Sequence, residues 1–576
     1  MRGTIAIPEA QHIVSQTTMD HLHGRLSGLV DARARWATTP IVERIRLLER
    51  AIRDTRAVAE EWVTVACAAK GIDVSAPVAG EEWQSGPALT IRLLRLMART
   101  LESIAATGSP PTRKARRRED GITTVGVFPT DLWDAMLFLG IKGEVWMQDG
   151  VTPENLRDHV ASAYRGADRE GTVSLVLGAG NIASIPAMDA LTKLLAENSV
   201  VLLKLNPVNE WVGPMLERAL AGFIEGGFLS IAYGGADVGR FLVDHPWVDT
   251  IHLTGSDKAH DSIVFGAGEE GALRKREGRP RLEKPITSEL GSVTPVIVVP
   301  GPWSESDLRF QGENIASGLT HNAGFNCVAN RLLITYDGWD RRDALKREIV
   351  AALRRIPTRP AYYPGAEERW QMYVDAYGGA VSRIGVRTDE ALPWTLVSVD
   401  HDDPIGMCFE TECFSGVFSE MALPASSVAD YVDRAVRFAN ERLWGTLGAT
   451  IIVHPDSMKD PLVADAVERA IADLRYGSVS VNIWVAVAYA AVTTTWGAYP
   501  GHTLDDIQSG RGTVHNALLF DRPLKSVVRA PFRAFPKPVW FGTNRNAHRT
   551  LQALTDHEAD PGILSTLKVA ARAVRG

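Results

Sequence analysis

From residue 171 onward, short apolar runs alternate with amphipathic helical stretches, and this limits the fold more than any other feature of the chain. "TVSLVLG" (172–178) precedes helical "IPAMDALTKLLAEN", and "SVVLLKL" (199–205) precedes helical "VGPMLERALAGFIEGG". "LSIAYGG" (229–235), helical "VGRFLVDHP" and "DTIHLTGS" (249–256) continue the order. Near-continuous apolar strands separated by helices pair in parallel, with helices on both faces. Ligands of such sheets sit outside the carboxyl ends of the strands, so the residues just after each strand matter most. A second α/β series starts at "VTPVIVVPG" (293–301) and runs through "RLLITYDGWDRRDALKREIVAALRRI", "TLVSVD", "ATIIVHPD" and "GSVSVNIW" (477–484). Two units of this size predict two lobes with a cleft between them. Ahead of them, residues 22–105 carry apolar residues at helical spacing, and "GSPPTRKARRRED" (108–120) reads as a solvated connection.

A chain of 576 residues is long enough for two to four domains, each with its own core. With 45% hydrophobic residues, 23% charged residues and a net charge of −7, the composition argues against nucleic acid as a main partner. The four cysteines, Cys67, Cys327, Cys408 and Cys413, form no CxxC pair. Neither a disulfide framework nor a zinc site is expected, and a reducing cytoplasm fits. The fourteen histidines show no metal spacing, so no metal is expected. Pro8, Glu9 and Gln11 interrupt any apolar core of a signal peptide in "MRGTIAIPEAQHIVSQ". The longest uncharged stretch (476–504) contains Gly477, Asn482 and Pro500, and reads as a buried strand followed by an apolar loop, not a membrane span.

Chemistry concentrates in a few of the loops. In "HNAGFNCVANR" (321–331), Cys327 lies among Asn, Gly and Ala, whereas a core cysteine usually has apolar neighbours. "LGAGNIAS" places Gly178, Gly180 and Ala183 in a G-x-G-x-x-A spacing between strand and helix. The acidic residue of a dinucleotide fingerprint is missing after the next strand, where Lys204 stands. The alternative use of this loop is to project the Asn181 amide beside a reaction centre. Cys67 on an apolar helical stripe reads as core, and Cys413 beside Glu412 as packing.

"LGAGN", "VVLLKLNP", "GGADVG", "DTIHLTGS", "SELGSVTP", "HNAGFNC", "TECFSGV" and "NERLWGTLGAT" occur in the order and spacing of the aldehyde dehydrogenase superfamily, which the chain resembles over about residues 20–530. The resemblance implies an α/β fold: a Rossmann-type parallel-sheet cofactor domain, an α/β catalytic domain and an oligomerisation arm. It implies Cys327 as nucleophile, Glu289 as general base, and the Asn181 amide with the Cys327 backbone N–H as oxyanion donors. It places NAD or NADP with Lys204 at the adenosine ribose and Gly235 and Gly239 beside the adenine. Ser256 falls at the pyrophosphate, Gly255 near the nicotinamide half, and Glu412 and Phe414 at the nicotinamide ribose and ring. The domains expected are a helical part of the cofactor-binding domain (1–127), an insertion or oligomerisation segment (128–170), the NAD(P)-binding domain (171–290), the catalytic domain (291–505) and an arm with tail (506–576).

The sequence departs from that pattern in four places. Pro207 stands where an acidic residue usually follows the lysine, which leaves the choice between NAD and NADP open. Ser415 and Gly416 replace a Gly-Pro pair, residues 128–170 interrupt a normally direct crossing, and the tail after 533 is long. The last two are expected to cover the substrate entrance or a subunit contact. The activity implied is oxidation of an aldehyde to its acid through a Cys327 thioester. A CoA-dependent acyl reductase on the same fold competes with it, and Glu289 favours hydrolysis because transfer to CoA needs no water-activating base. The joint presence of Cys327, Glu289 and Asn181 argues against a silent scaffold. "LKSVVRAPF" (524–532) is expected in the arm of a homodimer or homotetramer. The uncharged run holding Val485, Val487, Tyr489, Val492 and Trp496, together with Trp133, Met136, Leu137 and Phe138, predicts an apolar medium- or long-chain or aromatic aldehyde as substrate.

Overall fold

The computed structural model describes residues 2–166 and 170–576. The strands of both α/β series pair in parallel, the second series forming the centre of a mixed sheet. The first sheet has six strands in the order Gly510–Arg511, Ile286–Leu290, Thr250–Gly255, Thr172–Leu177, Ser199–Lys204, Leu229–Ala232. All pair in parallel except the two-residue edge strand Gly510–Arg511, which is antiparallel to Ser288 and Glu289. Thr172–Leu177 has the next strand in sequence on one side and Thr250–Gly255 on the other. Its end is therefore the switch point at which such sheets open a crevice.

The helices Met19–Thr38, Ile41–Ala69 and Leu89–Thr107 follow the helical spacing of residues 22–105. Leu22, Trp36, Leu48 and Leu93 on their inner faces join Val173, Leu175, Leu202 and Phe223 in one core. Each such side chain, fully buried, contributes about 1.5–3 kcal/mol. Cys67 lies in a smaller apolar cluster on the outer side of these helices, as its stripe implied.

Eleven strands form the second sheet. From one edge they run Val381–Ile384, Trp394–Ser398, Val417–Leu423, Asn330–Tyr336, Thr294–Val298, Gly448–Ile452 and Ser478–Val481, then Pro523–Arg529, Lys142–Met147, Thr123–Phe128 and Arg116–Arg117. The interrupting segment 128–170 thus contributes a sheet strand, in which Val145, Trp146 and Met147 are buried. Pro523–Arg529, from the segment expected to form an arm, is paired on both edges within this chain: parallel to Ser478–Val481 and antiparallel to Lys142–Met147. The basic run 113–118 ends in the exposed edge strand Arg116–Arg117, with the Arg118 guanidinium 4.0 Å from the Trp146 ring centroid.

The long tail folds into the helices Ala547–Ala559 and Ile563–Ala573. The first packs on Leu89–Thr107, where Glu558 is buried against Arg92 (2.7 Å) and Arg95, and Arg92 also meets Asp134 at 2.9 Å. This network joins an N-terminal helix, the interrupting segment and the tail. Burial alone would raise the Glu558 carboxyl, but Arg92 and Arg95 hold it below its ordinary value. Among the described residues no helix is long and apolar enough to cross a membrane. The uncharged stretch 476–504 forms the strand Ser478–Val481 and the short helix Ala486–Ala491.

Candidate active site

A cavity of about 600 Å³ opens at the carboxyl ends of the first sheet, against the second. All ten residues singled out from the sequence line it: Cys327, Glu289, Asn181, Lys204, Gly235, Gly239, Gly255, Ser256, Glu412 and Phe414. They come from both α/β series, so the cleft between the lobes is where the strand-end loops converge.

The loop carrying Cys327 is held from all sides. Asn322 and Ala323 both adopt left-handed backbone, with φ of 53° and 54°. The Asn322 amide donates to the carbonyls of Asn181 and Phe325, each at 3.1 Å. Lys70, paired with Glu82 at 2.9 Å in the interior, donates to the Asn322 side-chain oxygen at 3.1 Å and to the Asn181 carbonyl at 3.3 Å. The Arg331 guanidinium donates to the Gly324 carbonyl at 2.6 Å and to those of Ser415 and Val417, tying the loop to the chain after Phe414. Asn181 Nδ2 donates to the Phe325 carbonyl at 2.8 Å, which leaves its second N–H for the cavity.

Glu289, in the strand Ile286–Leu290, and Cys327 lie close enough for their side chains to interact. Burial pushes the Glu289 carboxyl up to about 8, and the Asp189 carboxylate adds to the rise. Burial likewise pushes the Cys327 thiol well above its ordinary value, with Glu289 and Glu412 adding to it. The resting pair is therefore a neutral thiol beside a carboxyl that loses its proton near pH 8. The Trp496 indole donates to Glu289 Oε1 at 3.2 Å and fixes the carboxyl plane. Behind it, Asp189 accepts from His515 (2.9 Å) and Thr254 (2.7 Å). Cys413 is buried, its sulfur 3.2 Å from the Ser415 hydroxyl, in keeping with packing.

On the opposite side, Glu412 is buried so close to Gly291 that a Cβ there would lie 1.9 Å from Glu412 Oε2. A side chain at 291 would displace the Glu412 carboxyl from its place on the cavity wall. Glu412 Oε1 is buried without a hydrogen-bond partner among the described residues, and burial pushes this carboxyl up to about 8. A buried acceptor left open on a cavity wall fits the hydroxyls of a ligand sugar. Phe414, with φ of 45°, turns its ring against Phe325 and Tyr363 at centroid distances of 5.9 and 5.0 Å. Ser256 caps the helix Asp257–Val264, accepting from the Ala259 N–H at 3.1 Å, and the helix start faces the cavity. An oriented helix N-terminus between small residues suits a diphosphate. The pocket therefore fits a dinucleotide in size and donor set.

Sequence reasoning did not find two contributors. Tyr363 lines the cavity between Phe325 and Phe414. The N-terminal segment crosses the cleft: Gly3–Thr4 pairs with Thr411–Glu412, the Thr4 N–H donates to Asp257 at 3.0 Å, and Glu9 accepts from the Ala236 N–H at 2.8 Å. In sequence this segment showed only an interrupted apolar run, with no periodicity to mark a site. The uncharged run behaves less uniformly than expected. Val485, Val492 and Trp496 are buried in the core, and Tyr489 and Cys327, both partly buried, pack against the apolar cluster that holds Val485 and Trp496. Val487 and Phe138 line a separate apolar cavity of about 70 Å³ against Arg92 and Glu558.

Residues 173–365 match the sequence profile of the aldehyde dehydrogenase family. A 3,6-anhydro-alpha-L-galactose dehydrogenase of Streptomyces coelicolor is 31% identical over 227 residues, 37% of this chain and 42% of that protein. Human aldehyde dehydrogenase family 3 member B1 is 24% identical over 52% of this chain and 59% of its own length. The chain thus spans about half the length of the curated relatives it matches. In fold, aldehyde dehydrogenase 21 of Physcomitrella patens superposes with a TM-score of 0.61 at 16% identity, covering 89% of this chain and 91% of that one. Residues 173–365, which include the strands that build one wall of the cleft, are thus similar to the aldehyde dehydrogenase family, and the fold is shared with aldehyde dehydrogenase 21 over nearly the whole length.

Proposed function

We propose that the protein oxidises an aldehyde to its carboxylic acid with NAD or NADP as acceptor. The observation that supports this most is the placement of Glu289 against Cys327 at the end of a dinucleotide-sized cavity. Cys327 Sγ adds to the aldehyde carbonyl carbon as its proton leaves toward Glu289. The oxyanion so formed takes hydrogen bonds from the second Asn181 N–H and the Cys327 backbone N–H. A bound nicotinamide dinucleotide supplies the hydride acceptor, with Glu412 and Phe414 as its seat. Once the carbon on Cys327 is at thioester level and Glu289 has passed the thiol proton to solvent, the deprotonated Glu289 takes a proton from water. The resulting hydroxide attacks the acyl carbon, and the C–S bond breaks to release the acid and regenerate the thiol.

Lys204, Gly235, Gly239, Gly255 and Ser256 are proposed to hold the adenosine and diphosphate halves. The substrate class we infer is an apolar aldehyde. Cys327 and Tyr489 both pack against the apolar cluster that holds Trp496, and Tyr489 also packs against Ile182 and Ile185, the latter lining the cavity.

Deacylation provides the test. Glu289→Gln should slow steady-state turnover by about 10²–10³-fold while leaving a burst of reduced cofactor and an acyl adduct on Cys327 by mass spectrometry. In the wild type kcat should climb as pH rises through about 8, because Glu289 acts only when deprotonated. A wild-type requirement for CoA would favour acyl transfer over hydrolysis.

A further inference from the structure

We propose that Glu9, carried across the cleft by the N-terminal segment, receives the adenosine ribose hydroxyls of the dinucleotide and selects NAD over NADP. This rests on the reading above, in which the adenosine half lies beside Lys204. A vicinal diol presents two O–H donors, and a carboxylate with an unengaged oxygen is the group that accepts them best. Pro207, just beyond the Lys204 strand, offers no acceptor side chain.

Three carboxylates face Lys204: Glu9, Glu210 and Asp237. Burial lowers the lysine to about 8, and these carboxylates, Glu9 first, oppose the fall. Two of the three are already occupied. Glu210 accepts from the backbone N–H groups of Ile13 and Val14 (2.9 Å) and lies 3.1 Å from His12 Nδ1. Asp237 accepts from the Gln16 amide at 2.8 Å. Neither lines the cavity, whereas Glu9 does. Its Oε1 is held by the Ala236 N–H, so close to Gly235 that a Cβ there would lie 1.9 Å away. Among the described residues its Oε2 has no partner.

The segment that delivers Glu9 is fixed at both ends. Thr4 bonds Asp257, and Ile13 and Val14 bond Glu210. A 2′-phosphate would bring about 1.5–2 further negative charges against Glu9, with Glu210 and Asp237 behind it. Lys204 and Arg240, which also lines the cavity, would favour that phosphate once Glu9 is neutral.

Calorimetric titration of NAD and of NADP into the wild type, Glu9→Gln and Asp237→Asn reads this without any turnover. Wild type should bind NAD more tightly than NADP. Glu9→Gln should shift the ratio of the two Kd values toward NADP by about 10- to 100-fold, or roughly 1.4–2.8 kcal/mol. Asp237→Asn should shift it less than about threefold, since each tenfold needs about 1.4 kcal/mol and Asp237 lies off the cavity. An unchanged ratio in Glu9→Gln, or an equal shift in Asp237→Asn, would overturn the assignment. If wild type binds neither dinucleotide, the cofactor reading falls and this inference with it. If both bind and only the ratio fails to move, the cofactor reading stands and this inference alone falls.

Discussion

The two sheets that meet at the cleft are built in different ways. The first takes five of its six strands in one continuous run, from Thr172–Leu177 to Ile286–Leu290. Its site residues follow those strands directly. The second has a comparable contiguous centre, but it is completed by Thr123–Phe128, Lys142–Met147 and Pro523–Arg529, which come from far ends of the chain. The N-terminal segment and the tail helices add further distant pieces. Local construction ties chemistry to motifs, whereas assembly from the ends ties it to contacts with no local signature. Substitutions in the contiguous part should therefore change chemistry, and those in the strands and helices brought from the chain ends should change stability, with Glu9 in the cleft as the exception.

The sharpest division is expected from Cys327→Ala. Aldehyde oxidation should fall by at least about 10³-fold, with NAD affinity within about twofold of wild type by titration. Substantial residual turnover would move the nucleophile elsewhere. In the assembled region, Glu558→Ala leaves Arg92 and Arg95 facing a buried gap. Removing one member of such a network costs about 3–5 kcal/mol, visible as a lower urea midpoint. At low temperature the folded variant should keep its kcat. Loss of kcat without loss of stability would erase the contrast between the two regions.

The smallest effect concerns the apolar surroundings of the thiol. Each methylene buried there contributes about 0.8 kcal/mol, so kcat/KM should rise about three- to fourfold per carbon from acetaldehyde until the space is full. A flat or falling series would remove Tyr489 and Trp496 from the substrate wall.

What could be read from the sequence follows the same division. Asn181 and Lys204 were legible at or just after the ends of apolar strands and Cys327 in its amide-rich loop, whereas Glu289 was placed by the resemblance of its motif; all of these signals are local. Trp496 was read as part of an apolar wall. Its bond to Glu289, 207 positions away, depends on how the edge strand Gly510–Arg511 returns to the first sheet. Asp189 lies in a helix buried on every side, where nothing in the pattern separates a charge held by His515 and Thr254 from an ordinary exposed position. Pro8 and Glu9 interrupt an apolar run. That same interruption is what keeps the segment extended across the cleft. The strand Lys142–Met147 was hidden because one of its partners is Pro523–Arg529, and antiparallel register across a separation of 376 positions or more, from Pro523 opposite Met147 onward, is not written in either segment.

The edge strand Arg116–Arg117 has a consequence beyond its own pairing. A sheet of eleven strands ends in unpaired N–H and C=O groups at both sides, and such edges recruit further strands from other molecules. Here one end closes with two exposed arginines amid the run from Arg113 to Arg118, so a second molecule approaching with the same edge meets like charge. The opposite edge, Val381–Ile384, exposes Ser382 and Arg383. The basic stretch that reads as a solvated linker thereby opposes edge-to-edge pairing of two copies through like charge.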